Sequence, residues 1–160
     1  MKIFEASEIY QFAMRIEENG EKFYRRAANI TEDDEARYLS NFLADEEVNH
    51  KKVFGALLSK IGKYEPDEQY PGEYIAYLRD YLDNKVIFST KSVNEEFCDI
   101  KDTLSALDFA VNREVDSILY YGEMKNFVAK NQSETIDKII VEERKHFSKL
   151  TKFKKEYEKR

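Results

Sequence analysis

The sequence predicts an all-α fold: four long helices arranged as two antiparallel helical hairpins, joined by one long crossover that contains a short helix. Three observations predict it. The 160-residue chain holds only 5 Gly and 2 Pro, too few for the tight turns of an all-β fold. Four long segments repeat their apolar side chains with the 3.6-residue period of a helix. Two of the joins between these segments are short and one is long, and short joins make antiparallel neighbours.

The first helix is expected over about Ser7 to Asn29, with Ser7 as its N-cap and Ile9, Phe12, Ala13, Ile16, Gly20, Phe23, Tyr24 and Ala27 on one face. The second is expected over about Glu32 to Ile61, capped by Thr31 and ended by Gly62, with Leu39, Phe42, Leu43, Val53, Phe54 and Leu57 facing inward. Gly62 to Lys101 is too long for a bare loop in a compact domain, and a short helix at about Gly72 to Asn84 accounts for part of it. Tyr70, Tyr74, Tyr77 and Tyr81 form a stripe on that helix, suited to packing on the bundle or a subunit. The third long helix, led by Asp102, spans about Thr103 to Ala129 and buries Leu107, Ala110, Val111, Ile118, Tyr121 and Val128. Asn131-Gln132 joins it to the fourth, which starts at a Ser133 cap and buries Ile136, Ile139, Ile140, Phe147, Leu150 and Phe153. Lys152 to Arg160 reads as a solvated last turn or a frayed end. Two hairpins with one long crossover make the ferritin-like four-helix bundle arrangement, with residues 1–160 as a single domain.

Composition narrows the function. The formal charge of −6 argues against nucleic acid or an anionic membrane as the main partner. No GxGxxG or GxxxxGK[ST] string is present. The single Cys98, expected to be a small buried residue of the crossover, excludes an internal disulfide, a CxxC pair and a cysteine zinc site. The longest apolar run, Tyr74 to Leu78, is far short of a membrane span, and acids interrupt the N-terminal segment where a signal peptide needs an apolar stretch. The expectation is a soluble cytoplasmic protein.

The two halves repeat. Phe12-Ala13 to Glu17 and Phe109-Ala110 to Glu114 both read F-A-x-x-x-E, offset by 97 residues, and a tyrosine follows seven residues after each glutamate, at Tyr24 and Tyr121. Glu46-Glu47-Val48-Asn49-His50 and Glu142-Glu143-Arg144-Lys145-His146 both read E-E-x-x-H, offset by 96. On a helical wheel Glu114, Glu143 and His146 fall within the apolar arcs, Glu17 flanks its arc, and Glu18 points away. On the second helix His50 is central and the wheel admits either Glu46 or Glu47. The repeat selects Glu47, the counterpart of Glu143.

Four carboxylates then point into one core from four helices. Each costs several kcal/mol to desolvate, and no lysine or arginine recurs on the buried faces at matching height to neutralise them. Divalent cations resolve this. Glu and His at i, i+3 share a helix face, carboxylates bridge ions readily, and a Glu from two helices with Glu-x-x-His from two others is the ligand pattern of di-iron and di-manganese bundles. Glu17, Glu47, His50, Glu114, Glu143 and His146 are the candidate ligands, with Tyr24 and Tyr121 as hydrogen-bonding supports.

In these residues, and over nearly the whole chain apart from the crossover, the sequence resembles the rubrerythrin-type members of the ferritin-like superfamily. The resemblance implies a centre of two iron ions and catalysis at the same six residues. It implies reduction of hydrogen peroxide or dioxygen, and a homodimer. Rubrerythrins carry a rubredoxin domain with four cysteine ligands; with Cys98 alone, electrons must come from an external donor such as a rubredoxin-like protein. The family's extra glutamate, three residues after the third helix's ligand, is replaced by Ser117. Two other readings use the same site: a ferroxidase or iron-handling protein, and a non-redox bundle stabilised by zinc or manganese that serves as a binding module.

Overall fold

The computed structural model describes residues 6–61 and 97–160. The expected crossover helix at 72–84 and its tyrosine stripe lie outside the described residues. Among the described residues there are four α-helices, one short 3₁₀ turn and no strand: α1 Ala6–Ile30, α2 Asp34–Leu58, α3 Thr103–Met124, the 3₁₀ turn Lys125–Phe127, and α4 Lys130–Tyr157.

α1 packs on α2 and α3 on α4, each pair as an antiparallel hairpin. Cross-helix contacts show the direction. On α1 and α2, Tyr10 meets Phe54, Glu18 meets Lys51 and Arg25 meets Asp45, so one number rises as the other falls. On α3 and α4, Asp108 pairs with Lys154 and Glu114 lies by His146, while Lys125 just past α3 reaches Asp137. The hairpins are tied together by Tyr120, whose hydroxyl donates to the Ile9 carbonyl at 2.9 Å, and by the Thr31 and Thr103 hydroxyls, 2.6 Å apart.

The interior has three layers. One apolar cluster gathers Tyr10, Ile16, Phe54, Tyr121, Ile136 and Ile140. A second gathers Phe23, Leu43, Leu107, Ala110 and Leu150. Along every helix the buried ionisable residues, with Ser117, fall between these clusters in sequence: Glu17 on α1, Glu47 and His50 on α2, Arg113, Glu114 and Ser117 on α3, Glu143 and His146 on α4. Each large apolar side chain so buried contributes roughly 1.5–3 kcal/mol, and that gain offsets the cost of the polar layer.

Helix ends differ from the sequence reading for local reasons. Ser7 is no cap, because α1 already includes Ala6. α2 is capped by Asp33, whose carboxylate accepts from the Ala36 amide at 2.8 Å; the Thr31 hydroxyl instead faces Thr103 and accepts from the Asp33 amide. α2 closes at Ser59, short of Ile61. Asp102 caps α3 as expected, in a reciprocal box with Ser105. α3 stops at Met124 rather than Ala129, since the chain tightens into the 3₁₀ turn that sends Phe127 and Val128 into the core. α4 begins at Lys130, ahead of Ser133. Gln132, expected in the join, is already helical: its side chain accepts from the Tyr10 hydroxyl at 3.0 Å, which draws this turn onto the bundle. Cys98 is exposed rather than buried, because its neighbours Phe97 and Ile100 take the inward positions of that turn. The C-terminal turn is held rather than free: Arg160 pairs with Asp33 at 2.6 Å and with Glu35.

Candidate metal centre

All six candidate ligands are in the middle layer, each at most 3% exposed. α1 supplies Glu17, α2 Glu47 and His50, α3 Glu114, and α4 Glu143 and His146. The i, i+3 spacing of the α2 and α4 pairs turns each histidine to the same side as its glutamate. Glu18 points out to Lys22 and Lys51, 3.0 Å from each.

Glu143 is the central carboxylate. Its Oε1 lies 2.7 Å from His50 Nδ1 and its Oε2 3.2 Å from His146 Nδ1. His50 Nδ1 is also 3.5 Å from Glu17 Oε2, and His146 Nδ1 is 4.0 Å from Glu114 Oε2. The two imidazoles stack with centroids 5.8 Å apart. Two groups of convergent ligand atoms result: Glu47, Glu114, Glu143 and His146, and Glu17, His50 and Glu143. Glu47 and His50, neighbours on one helix, thus fall in different groups.

The tyrosines act as the spacing suggests, and crosswise. Tyr24 of α1 donates to Glu114 of α3, and Tyr121 of α3 donates to Glu17 of α1. Each fixes one carboxylate oxygen and leaves the other free to ligate. The outer histidine nitrogens meet the glutamates that the sequence set aside. Glu142 Oε2 lies 2.8 Å from His50 Nε2, and Glu46 Oε2 lies 3.8 Å from His146 Nε2. A carboxylate accepting from Nε2–H leaves Nδ1 as the inward-facing donor to a metal.

The expectation of no buried cation is overturned by Arg113. It is 3% exposed, and its Nη1 and Nη2 each lie 3.3 Å from one oxygen of Glu47. Nη2 also donates to the Ile16 carbonyl at 2.5 Å. Gly20 of α1 makes this possible, since a Cβ there would overlap the guanidinium and Glu47 Oε2. A wheel drawn for one helix cannot show a notch cut by another. The available signal was a glycine on a buried face, in register with an arginine next to a ligand.

Burial, followed by the neighbouring charges, sets the electrostatics. Desolvation holds the Glu47 carboxyl well above its usual range against the pull of Arg113, with Glu17 and Glu143 reinforcing the rise. Desolvation and then Glu143 raise Glu114 similarly. For Glu143 burial is opposed and outweighed by His146 and His50, which hold it well below the ordinary carboxylate value. Burial disfavours the His50 imidazolium, yet Glu143 and Glu17 raise its pKa to about 12.

The residues fit a metal pair. Glu17 Oε2, His50 Nδ1, Glu114 Oε2 and Glu143 Oε1 are buried without an aligned hydrogen bond, meeting only one another or His146 as charge contacts, and each belongs to a residue of the two convergent groups. Such orphaned atoms are costly in a core, and oxygen and imidazole donors suit iron, manganese and zinc.

Comparison with known proteins agrees. A crystal structure at 2.30 Å, of a Thermotoga maritima protein described as ferritin-like and diiron-carboxylate, superposes with a TM-score of 0.66 at 27% identity, covering 98% of this chain and 99% of that one. No curated protein sequence gives a significant match. The rubrerythrin family model matches residues 8–154. Because that match takes in both hairpins and all six candidate ligands, the chain belongs to the rubrerythrin family.

Proposed function

We propose that the protein is a non-haem di-iron oxidoreductase that reduces hydrogen peroxide or dioxygen with electrons from an external donor. The observation that carries this reading is the set of buried ligand atoms, without aligned hydrogen bonds, converging from four helices. Glu17, Glu47, His50, Glu114, Glu143 and His146 would hold two iron ions, which when bound supply one electron each to the oxidant.

The chain's own groups do the rest. Glu143, with one oxygen toward each histidine, would offer an oxygen to either ion. Tyr24 and Tyr121 orient Glu114 and Glu17 through their hydroxyl protons. Glu142 fixes the His50 ring from outside. The apolar clusters on either side keep bulk water from the centre. With Cys98 as the sequence's one cysteine, no four-cysteine iron site can feed electrons from within it, so repeated turnover needs a donor, for which a rubredoxin-like protein is suited. A homodimer belongs to the same proposal. Among the described residues no helix is long and apolar enough to cross a membrane.

Stopped-flow oxidation of the anaerobic ferrous protein, by peroxide and separately by dioxygen, tests this. The expected result is oxidation faster than that of free ferrous ion in the same buffer, with turnover only when a donor is added. Equal rates with protein and free iron for both oxidants would reject the oxidoreductase.

A further inference from the structure

The internal repeat makes a departure from symmetry visible. With the offset of 97, Arg113 occupies the position of Ile16, and Gly20 that of Ser117. Glu143 and Glu47 are counterparts in the E-E-x-x-H strings, but their surroundings differ. Glu143 offers one oxygen to each histidine. Both Glu47 oxygens are turned to the guanidinium, which the Ile16 carbonyl holds from behind and the notch at Gly20 admits. Glu47 accordingly joins the group of Glu114, Glu143 and His146 and is absent from that of its helix neighbour His50.

We propose that Arg113, seated in the notch at Gly20, is a fixed internal cation that makes the two metal positions unequal. It withholds Glu47 from bridging and weakens divalent-cation binding at the position that uses Glu47. The proposal rests on the metal-centre reading above. Arginine keeps its charge at any working pH. A guanidinium on a ligand's oxygens competes for their lone pairs and repels an incoming divalent ion, and at a few ångströms inside a protein that repulsion is worth at least about a tenfold change in affinity. Arg113 acts through Glu47 and is a positioning residue. A purely structural role, neutralising Glu47 so that the bundle folds, would change melting temperature without changing the difference between the two positions.

Calorimetric titration of the metal-free protein with Mn²⁺ at one fixed pH separates these roles, with thermal melts of the metal-free and loaded forms beside it. The wild type should show two affinities at least about tenfold apart. Arg113→Met should tighten the weaker one about tenfold or more and narrow the gap, lowering the metal-free melting temperature while enlarging the rise on loading. Arg113→Gln removes the charge but keeps an amide donor on the same stem and leaves Glu47 in place, so it should shift the affinities in the same direction and carries the test if Arg113→Met fails to fold. Arg113→Lys, which retains the charge, should preserve the gap. An unchanged gap in the Met and Gln variants, or its loss in the Lys variant, overturns the proposal. If the wild type binds no Mn²⁺, the metal-centre reading falls and this proposal with it.

Discussion

Tyr24 and Tyr121 set the finest grain of the centre, because a carboxylate with one oxygen pinned can present the other in one direction only. Tyr24→Phe or Tyr121→Phe should weaken metal binding by about 10- to 100-fold while leaving the stoichiometry intact. Glu47→Ala and His50→Ala, by contrast, should lower the number of ions bound, and Glu18→Ala, whose carboxylate is exposed between Lys22 and Lys51, should not. Metal analysis of dialysed variants checks all five. At this scale the sequence was informative where chemistry repeats. Two E-E-x-x-H strings and two F-A-x-x-x-E strings placed all six candidate ligands in the buried layer. It was silent where one helix makes room for another's side chain, as Gly20 does for Arg113. Glu142, the residue before Glu143 on α4, reaches the outer nitrogen of His50 from the partly exposed side.

The helices were legible from their periods, and their ends were not, because several polar side chains compete for each end. Thr31 and Asp33 could both cap α2; Thr31 finds Thr103 on the other hairpin, and Asp33 takes the Ala36 amide. Asp33 also receives Arg160 from the end of α4. Asp33→Ala should therefore cost about 1 kcal/mol of cap energy, read as a lower midpoint in urea, whereas Ser133→Ala, at a position already inside α4, should change the midpoint little. The early end of α3 follows from a tertiary gain that no local pattern encodes, the burial of Phe127 and Val128.

For the molecule as a whole, the metal-free state is an electrostatic compromise whose stability depends on pH. Glu47 and Glu114 titrate above the ordinary value of 4.5, and His50 is raised from 6.5 to about 12. In all three the folded protein holds protons that the unfolded chain releases, so their contributions are present at low pH and fade as pH rises through the folded-state values. Glu143 is shifted the other way, and its contribution is lost only as pH falls below about 4.5. Metal-free protein should therefore melt at a higher temperature near pH 5 to 6 than near pH 9, by about several degrees. Bound divalent ions displace those protons, so the gain in melting temperature on loading should grow with pH. Thermal melts with chelator and with excess Mn²⁺ across this range check both slopes. A melting temperature unaffected by chelation at neutral pH would mean that the glutamates are not forced together.

The two ligand groups have one more property in common: neither lies within a single hairpin. Glu47 meets Glu114, Glu143 and His146 from across the interface, and Glu17 and His50 meet Glu143 likewise. Separating the halves by a few ångströms thus strips Glu47 from one group and Glu17 and His50 from the other, while Glu114, Glu143 and His146 stay together on the α3–α4 hairpin. Escape of the metal becomes a clock for undocking. The ion of the position that loses Glu17 and His50 should leave at the rate of the slowest amide-exchange opening of the middle layer, and the ion held beside Arg113 should leave in a separate, earlier phase.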